Sequence, residues 1–152
     1  MPKLVSGAST GVFPSCAARG MASKTSLSAA TSWFDYFTGW TTTDVNNLGL
    51  LTSGGYCEVP AGFGGLYQVT FFINGITSND YNTAAMYSYD GSSYELLFGD
   101  YAFNDYSNYT CGGTVIVNMK AGDRLYCGYD DRYGTPSSSD SYSRMSMHFI
   151  NH

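Results

Sequence analysis

The chain has 152 residues, enough for one domain with a single core, and only 12% of them are charged, about half the usual share, with a net charge of −5. Its seven basic residues, Lys3, Arg19, Lys24, Lys120, Arg124, Arg132 and Arg144, are scattered and form no patch able to neutralise a run of phosphates, which excludes nucleic acid as a partner. No apolar run approaches the roughly 18 residues of a membrane-spanning helix, so membrane insertion is not expected either.

Residues 1–26 are rich in Ala, Ser and Gly, carry two prolines and show no sustained alternation. A segment of this kind is expected to be an extended N-terminal arm, an assembly tether that orders against a neighbouring subunit. Its first residues hold one Lys and no continuous apolar stretch, so they do not read as a signal peptide. The head domain is then 27–152.

Within the head, no window has a helical period; what recurs is period two, broken by Gly, Asn and Asp. The stretches "WFDYF" (33–37) and "YCEV" (56–59) are short strand candidates. In "GLYQVTFFING" (65–75), Tyr67, Val69, Phe71 and Ile73 share the inward face, while Gln68 and Thr70 point outward between Leu66 and Phe72. The pair "AAMYSY" and "YELLF", joined by "DGSS", reads as a hairpin. In "GTVIVNM" the inward set is Val115, Val117 and Met119. After the turn "KAGD" comes "RLYCGYD", with Leu125, Cys127 and Tyr129 inward. The last run, "YSRMSMHFI", turns Met145, Met147 and Phe149 inward and Arg144, Ser146 and His148 outward. Many short strands punctuated by turns mean an all-β antiparallel sandwich or barrel.

Catalytic company is sparse. Of the two histidines, His152 is the last residue and His148 lies on an outward strand face, opposite in parity to the inward Cys127, so no Cys–His pair is expected. Cys16, Cys57, Cys111 and Cys127 have no metal-site spacing. Two disulfides in any of three pairings are open to them, and a reducing cytosol would keep them as buried thiols, the state expected here. Asp130 and Asp131, or Asp100 and Asp105, lack the density of a dedicated calcium loop. "KAGDRLYCGYDD" has one Gly before an Asp and a strand on either side, so it is a turn and not a phosphate loop. No cofactor and no metal is expected, and the protein does not read as an enzyme.

Four stretches in order resemble one family. "GYCEVPAGFGGLYQVTFFI" (55–73) resembles its entry into a core strand, and "YSYDGSSYELL" (87–97) its middle hairpin. "GGTVIVNMKAGDRLYCGY" (112–129) resembles its S-x-V-x-V-x-L-x-x-G-D-x-V run, and "DSYSRMSMHFI" (140–150) its closing strand. This is similar to the jelly-roll head of the complement globular-head and tumour-necrosis-factor families, which have bacterial and phage versions. The resemblance covers residues 27 to 150. The closing strand lacks the family's aromatic–Gly–aromatic pattern, and no collagen-like repeat precedes the head. The resemblance implies a jelly-roll sandwich of ten strands and a homotrimer about a three-fold axis, and no enzymatic activity.

The expectation that joins these features is a structural virion protein: a trimeric capsid-decoration, or cement, protein of a bacteriophage, bound to the major capsid protein. Trp33, Phe34, Tyr36 and Trp40 are the expected assembly contacts, since interfaces favour large aromatics. The alternative is a receptor- or glycan-binding knob on a tail fibre or spike. There Tyr101, Tyr106 and Tyr109 would stack on sugars of the host surface while Asn104, Asp105 and Asn108 bind hydroxyls.

Overall fold

The computed structural model describes residues 11–31, 33–74, 81–103, 110–130 and 143–152. Among them are nine strands and no helix: β1 (Ser15–Ser26), β2 (Phe34–Asn47), β3 (Cys57–Glu58), β4 (Gly65–Asn74), β5 (Tyr81–Tyr89), β6 (Tyr94–Phe103), β7 (Thr110–Met119), β8 (Arg124–Asp130) and β9 (Arg144–Asn151). All pairings are antiparallel, in the order β6-β5-β8-β2-β1-β9-β4-β7, with β3 added to β8. The jelly-roll sandwich expected from the sequence is therefore present.

The path is one sheet folded over on itself. The hinge is the long β1–β2 pair, in which Ser15–Arg19 of β1 also pair with β9, whereas Phe34–Tyr36 of β2 pair with β8. Register shifts after Ala17, Met21 and Ser23 break the ladder between those two ends. Each extra residue bends and twists the strand, which lets one hairpin serve both layers. At the opposite edge β6 meets β7: the Phe98 ring lies where a side chain at Gly113 would be, and Asp100 accepts the Gly112 amide at 3.0 Å.

Residues 15–26, read from the sequence as part of the arm, form a strand that pairs with β2 and β9 of the head. Cys16, Ala18 and Met21 face the core, and Gly20 N–H donates to Ser143. Residues 1–10 lie outside the described residues. Strand β2 is also much longer than the five residues legible in "WFDYF".

The core fills the space between the layers with the expected inward sets. Tyr67, Val69, Phe71 and Ile73 are fully buried, as are Leu125, Tyr129, Met145 and Met147 with Cys16, Cys57 and Cys127. Val115, Val117 and Phe149 are half-buried against them. All four cysteines are free and buried, as the sequence reading favoured.

Strand β8 is more enclosed than its alternation implies, because Tyr126 and Gly128 on its other face are buried too. A second cluster of Phe34, Ala85, Tyr87 and Tyr126 lies there, covered by Leu27, Ala30 and Trp33.

The "KAGD" turn is a type II turn. Asp123 N–H donates to Lys120 O at 3.0 Å, Gly122 has φ 89°, and the Asp123 carboxylate accepts the Lys120 amide at 2.7 Å. Arg124 does not simply face water: it pairs with Glu58 at 2.8 Å and lies over the Tyr56 ring. A Cβ at Gly122 would meet nothing within 4 Å, so a side chain there costs only backbone strain. Gly122→Val is expected to lose about 2 kcal/mol and about 6 °C in melting temperature, with a denaturation curve as the check.

Candidate functional site

The antiparallel register places side chains of β7, β4, β9 and β1 in straight rows across the outer face of one layer. One row is Ile116, Gln68, His148 and Ser15; the next is Thr114, Thr70, Ser146 and Ala17. The row at the end of the sheet is Gly112, Phe72, Arg144 and Arg19. Thr70 and Thr114 share a hydroxyl hydrogen bond of 2.8 Å.

This face is uncovered and apolar in the wrong places. Ile116 is 66% exposed, Ile150 45% and Phe72 37%. No Lys, Arg, Asp or Glu stands in the first two rows. Charge gathers at one end, where Arg19 pairs loosely with Asp44 at 3.4 Å beside Arg144. A groove of about 670 Å³ runs there between Arg19, Arg144, Asp44, Thr70, Ser146 and Phe72.

Sequence reasoning did not assign this face, although its signal was in the sequence. Phe72 and Ile116 are apolar at the parity that Gln68, Thr70 and Thr114 mark as outward. Large apolar side chains on the water side of an alternating strand indicate contact with something else.

The expected assembly contacts are distributed differently. Phe34 is fully buried beneath Leu27, Ala30 and Trp33, with its ring 4.7 Å from Tyr87. Trp40 stacks on Phe37 and donates its indole N–H to Gly55 O at 3.1 Å. Phe34 is therefore spent on its own domain, whereas Trp40 is half-buried. Trp33 and Tyr36 are half-buried at the edge of the second cluster. Of the ligand-loop candidates, Asn104, Asp105, Tyr106, Asn108 and Tyr109, and the side chain of Tyr101, lie outside the described residues, as does Asp131. Asp100 is engaged by the Gly112 amide, and Asp130 is buried.

His148 and Cys127 also stand as their parity requires, on the outer face and in the core, so they do not meet.

On the other layer, tyrosines form a continuous edge-and-face array. Tyr89 stacks on Tyr94 at 4.5 Å; Tyr126 meets Tyr94, Tyr36 and Tyr56 at 5.9, 5.0 and 5.2 Å. Burial pushes the phenols of Tyr67 and Tyr126 up to about 12, and raises that of Tyr36, where Tyr56 and Tyr94 add to the effect. Burial likewise pushes the Cys111 thiol up to about 12. Such groups keep their protons in the folded chain at a pH where the unfolded chain has lost them, so raising the pH favours unfolding. Stability is expected to be level below about pH 9 and to fall from there to about pH 12. Urea titrations across that range read it out.

Compared by sequence, the chain matches no protein-family model and no curated protein. Compared by structure, it superposes on the globular domain of the zebrafish complement 1qA protein with a TM-score of 0.61, over 91% of this chain and 98% of that one, at 14% identity. Its fold is that of the complement 1q and tumour-necrosis-factor heads. Murine APRIL at pH 8.0 matches this jelly roll with a TM-score of 0.69 over 91% of this chain and 100% of the other, at 13% identity. The Eiger TNF of S. frugiperda gives 0.58 over 91% and 93%, at 18% identity. The expected complement-type and tumour-necrosis-factor-type head is thus the fold found. Nine strands lie in its described residues, where the resemblance implied ten.

Proposed function

We propose that this chain forms a non-catalytic homotrimeric head and serves as a decoration protein on a bacteriophage particle, held against the major capsid protein. The observation that carries the reading is the uncovered β7–β4–β9–β1 face. Its two central rows are uncharged, and Ile116, Ile150 and Phe72 stand exposed on it. Interface cores are depleted in Lys, Glu and Asp in this manner. The three-fold arrangement implied by the family resemblance gives such a face its partner, a second and a third copy. The virion role draws on a surface dressed with Tyr, Ser, Thr and Asn in place of charge.

With that face occupied, the half-buried Tyr36, Tyr56, Tyr89 and Tyr94, gathered around the buried Tyr126 on the other layer, are the tyrosines turned outward. Tyrosine covers contact area at low entropic cost, which suits repeated weak contacts that gain strength from multivalency.

Two measurements test the proposal. Light scattering on the purified chain is expected to give three times the 16.5 kDa protomer mass; a monomer at micromolar concentration overturns the assembly. Quantitative mass spectrometry of purified particles is expected to find on the order of hundreds of copies. A few copies would replace decoration with a fibre-tip knob, and none would remove the virion role.

A further inference from the structure

Three sulfur atoms meet between the two layers. The Sγ atoms of Cys16 and Cys57 are 3.4 Å apart, and the Met145 Sδ lies 3.8 and 3.9 Å from them. Cys16 belongs to β1 of one layer. Cys57 belongs to β3, which pairs with β8 of the other at Leu125. Both thiols are fully buried. From these positions we infer that Cys16 and Cys57 are a redox-convertible pair, able to close into a disulfide that staples β1 across the sandwich.

The geometry asks little. A disulfide has its sulfurs about 2.05 Å apart, so each Sγ must move by about 0.7 Å. The group that must give way is the Met145 thioether, a flexible side chain that refills irregular space. Cys127, the third thiol in this part of the core, is inward-facing on β8 and is the rival partner.

The chemistry is a thiol–disulfide exchange with a disulfide oxidant such as oxidised glutathione. One thiol of the pair loses its proton and attacks the oxidant, forming a mixed disulfide and releasing one glutathione thiol. The second thiolate attacks the protein sulfur of that bond, the Cys16–Cys57 bond forms, and the second glutathione thiol leaves. Two electrons and two protons pass to the oxidant, which ends as two thiols.

Burial decides when this happens. No oxidant reaches either sulfur in the closed sandwich, and the hydrogen bond to Cys16 together with burial holds the Cys57 thiol well above its ordinary value. The pair therefore records the conditions under which the chain folded. It is reduced after folding in a reducing compartment and bonded after folding beside a disulfide oxidant, and it exchanges slowly afterwards. The inference stands independently of the proposed virion role.

The test refolds the full chain from denaturant in two buffers, reduced glutathione alone and a mixture of oxidised and reduced glutathione. Free thiols are then alkylated in denaturant and the intact masses and non-reduced peptides are measured. The oxidised sample is expected to take up two alkyl groups fewer, to yield a linked Cys16–Cys57 peptide pair and to melt about 10 °C higher, since the bond closes a 41-residue separation. C16A and C57A should each lose the link, whereas C127A and C111A should keep it. Four alkylated cysteines after oxidative refolding, or a link through Cys111 or Cys127, overturns the inference. The wild-type peptide map decides this even if a variant fails to fold.

Discussion

Removing residues 1–25 is expected to leave no folded protein, a far larger loss than removing residues 1–10, which leaves β1 whole. The longer deletion takes away nearly all of β1, the strand that pairs with β2 on one side and β9 on the other. It strips the core of Cys16, Ala18 and Met21 and uncovers the sulfur contacts of Cys57 and Met145. It also removes Lys24, whose Nζ meets the nearly buried Asp35 carboxylate at 2.9 Å and lies over the Tyr129 ring. Burial disfavours that ammonium's charge, but the hydrogen bonds and charges of Tyr129 and Asp35 outweigh it and raise its pKa.

Losing the Lys24 ammonium leaves the Asp35 carboxylate only the Tyr129 hydroxyl at 3.3 Å, a loss of about 3 kcal/mol before that of the two ladders of β1 is added. A domain has only about 5–15 kcal/mol in hand. Circular dichroism and a thermal melt of the two truncations decide the matter. A folded product from the 1–25 deletion would restore the reading of this segment as a detachable arm.

The difference between that expectation and the reading of residues 1–26 as a tether shows what a single sequence carries. Alternation of large apolar residues was enough to place Tyr67, Val69, Phe71, Ile73, Leu125, Tyr129, Met145 and Met147 in the core. In each of these strands the inward side chain is big enough to mark its own face. In β1 the alternating inward positions are Cys16, Ala18 and Gly20, and its one large core residue, Met21, stands off that parity, so its face is marked by almost nothing. The strand exists because β2 and β9 offer it hydrogen bonds and the facing layer fills its missing volume, and neither is visible in its own sequence. The bulges after Ala17 and Met21 break the period further.

Aromatic density misled in the other direction. Large rings such as Phe34 and Trp40 favour interfaces, yet they favour cores at least as strongly. What tells the two apart for Phe34 is the packing of Leu27, Ala30 and Trp33 over it. The outer face was readable by a sharper criterion, an apolar residue at the wrong parity, and Phe72 and Ile116 meet it. Which partner covers that face is a property of the assembly, and the sequence holds no local mark of it.

The second large effect follows from that face. Ile116→Lys is expected to convert the proposed trimer to monomers while leaving the melting behaviour of the isolated domain nearly unchanged. Ile116 is two-thirds exposed within its own chain, so the substitution removes little buried surface, and such changes usually stay within about 0.5 kcal/mol. In an assembly built on the β7–β4–β9–β1 face, each copy would bring an ammonium into an uncharged patch beside Gln68 and Thr114, with no carboxylate in its row. An unpaired charge at an interface centre costs about 3 kcal/mol, which weakens association about 150-fold per contact. Leu96→Lys is the control. Leu96 is half-exposed on β6, away from this face, and its substitution should leave the mass of the assembly as it was. Light scattering against concentration separates the outcomes. Loss of the trimer with Ile116→Lys and not with Leu96→Lys places the contact on this face. Equal loss with both, or with neither, takes the contact off it.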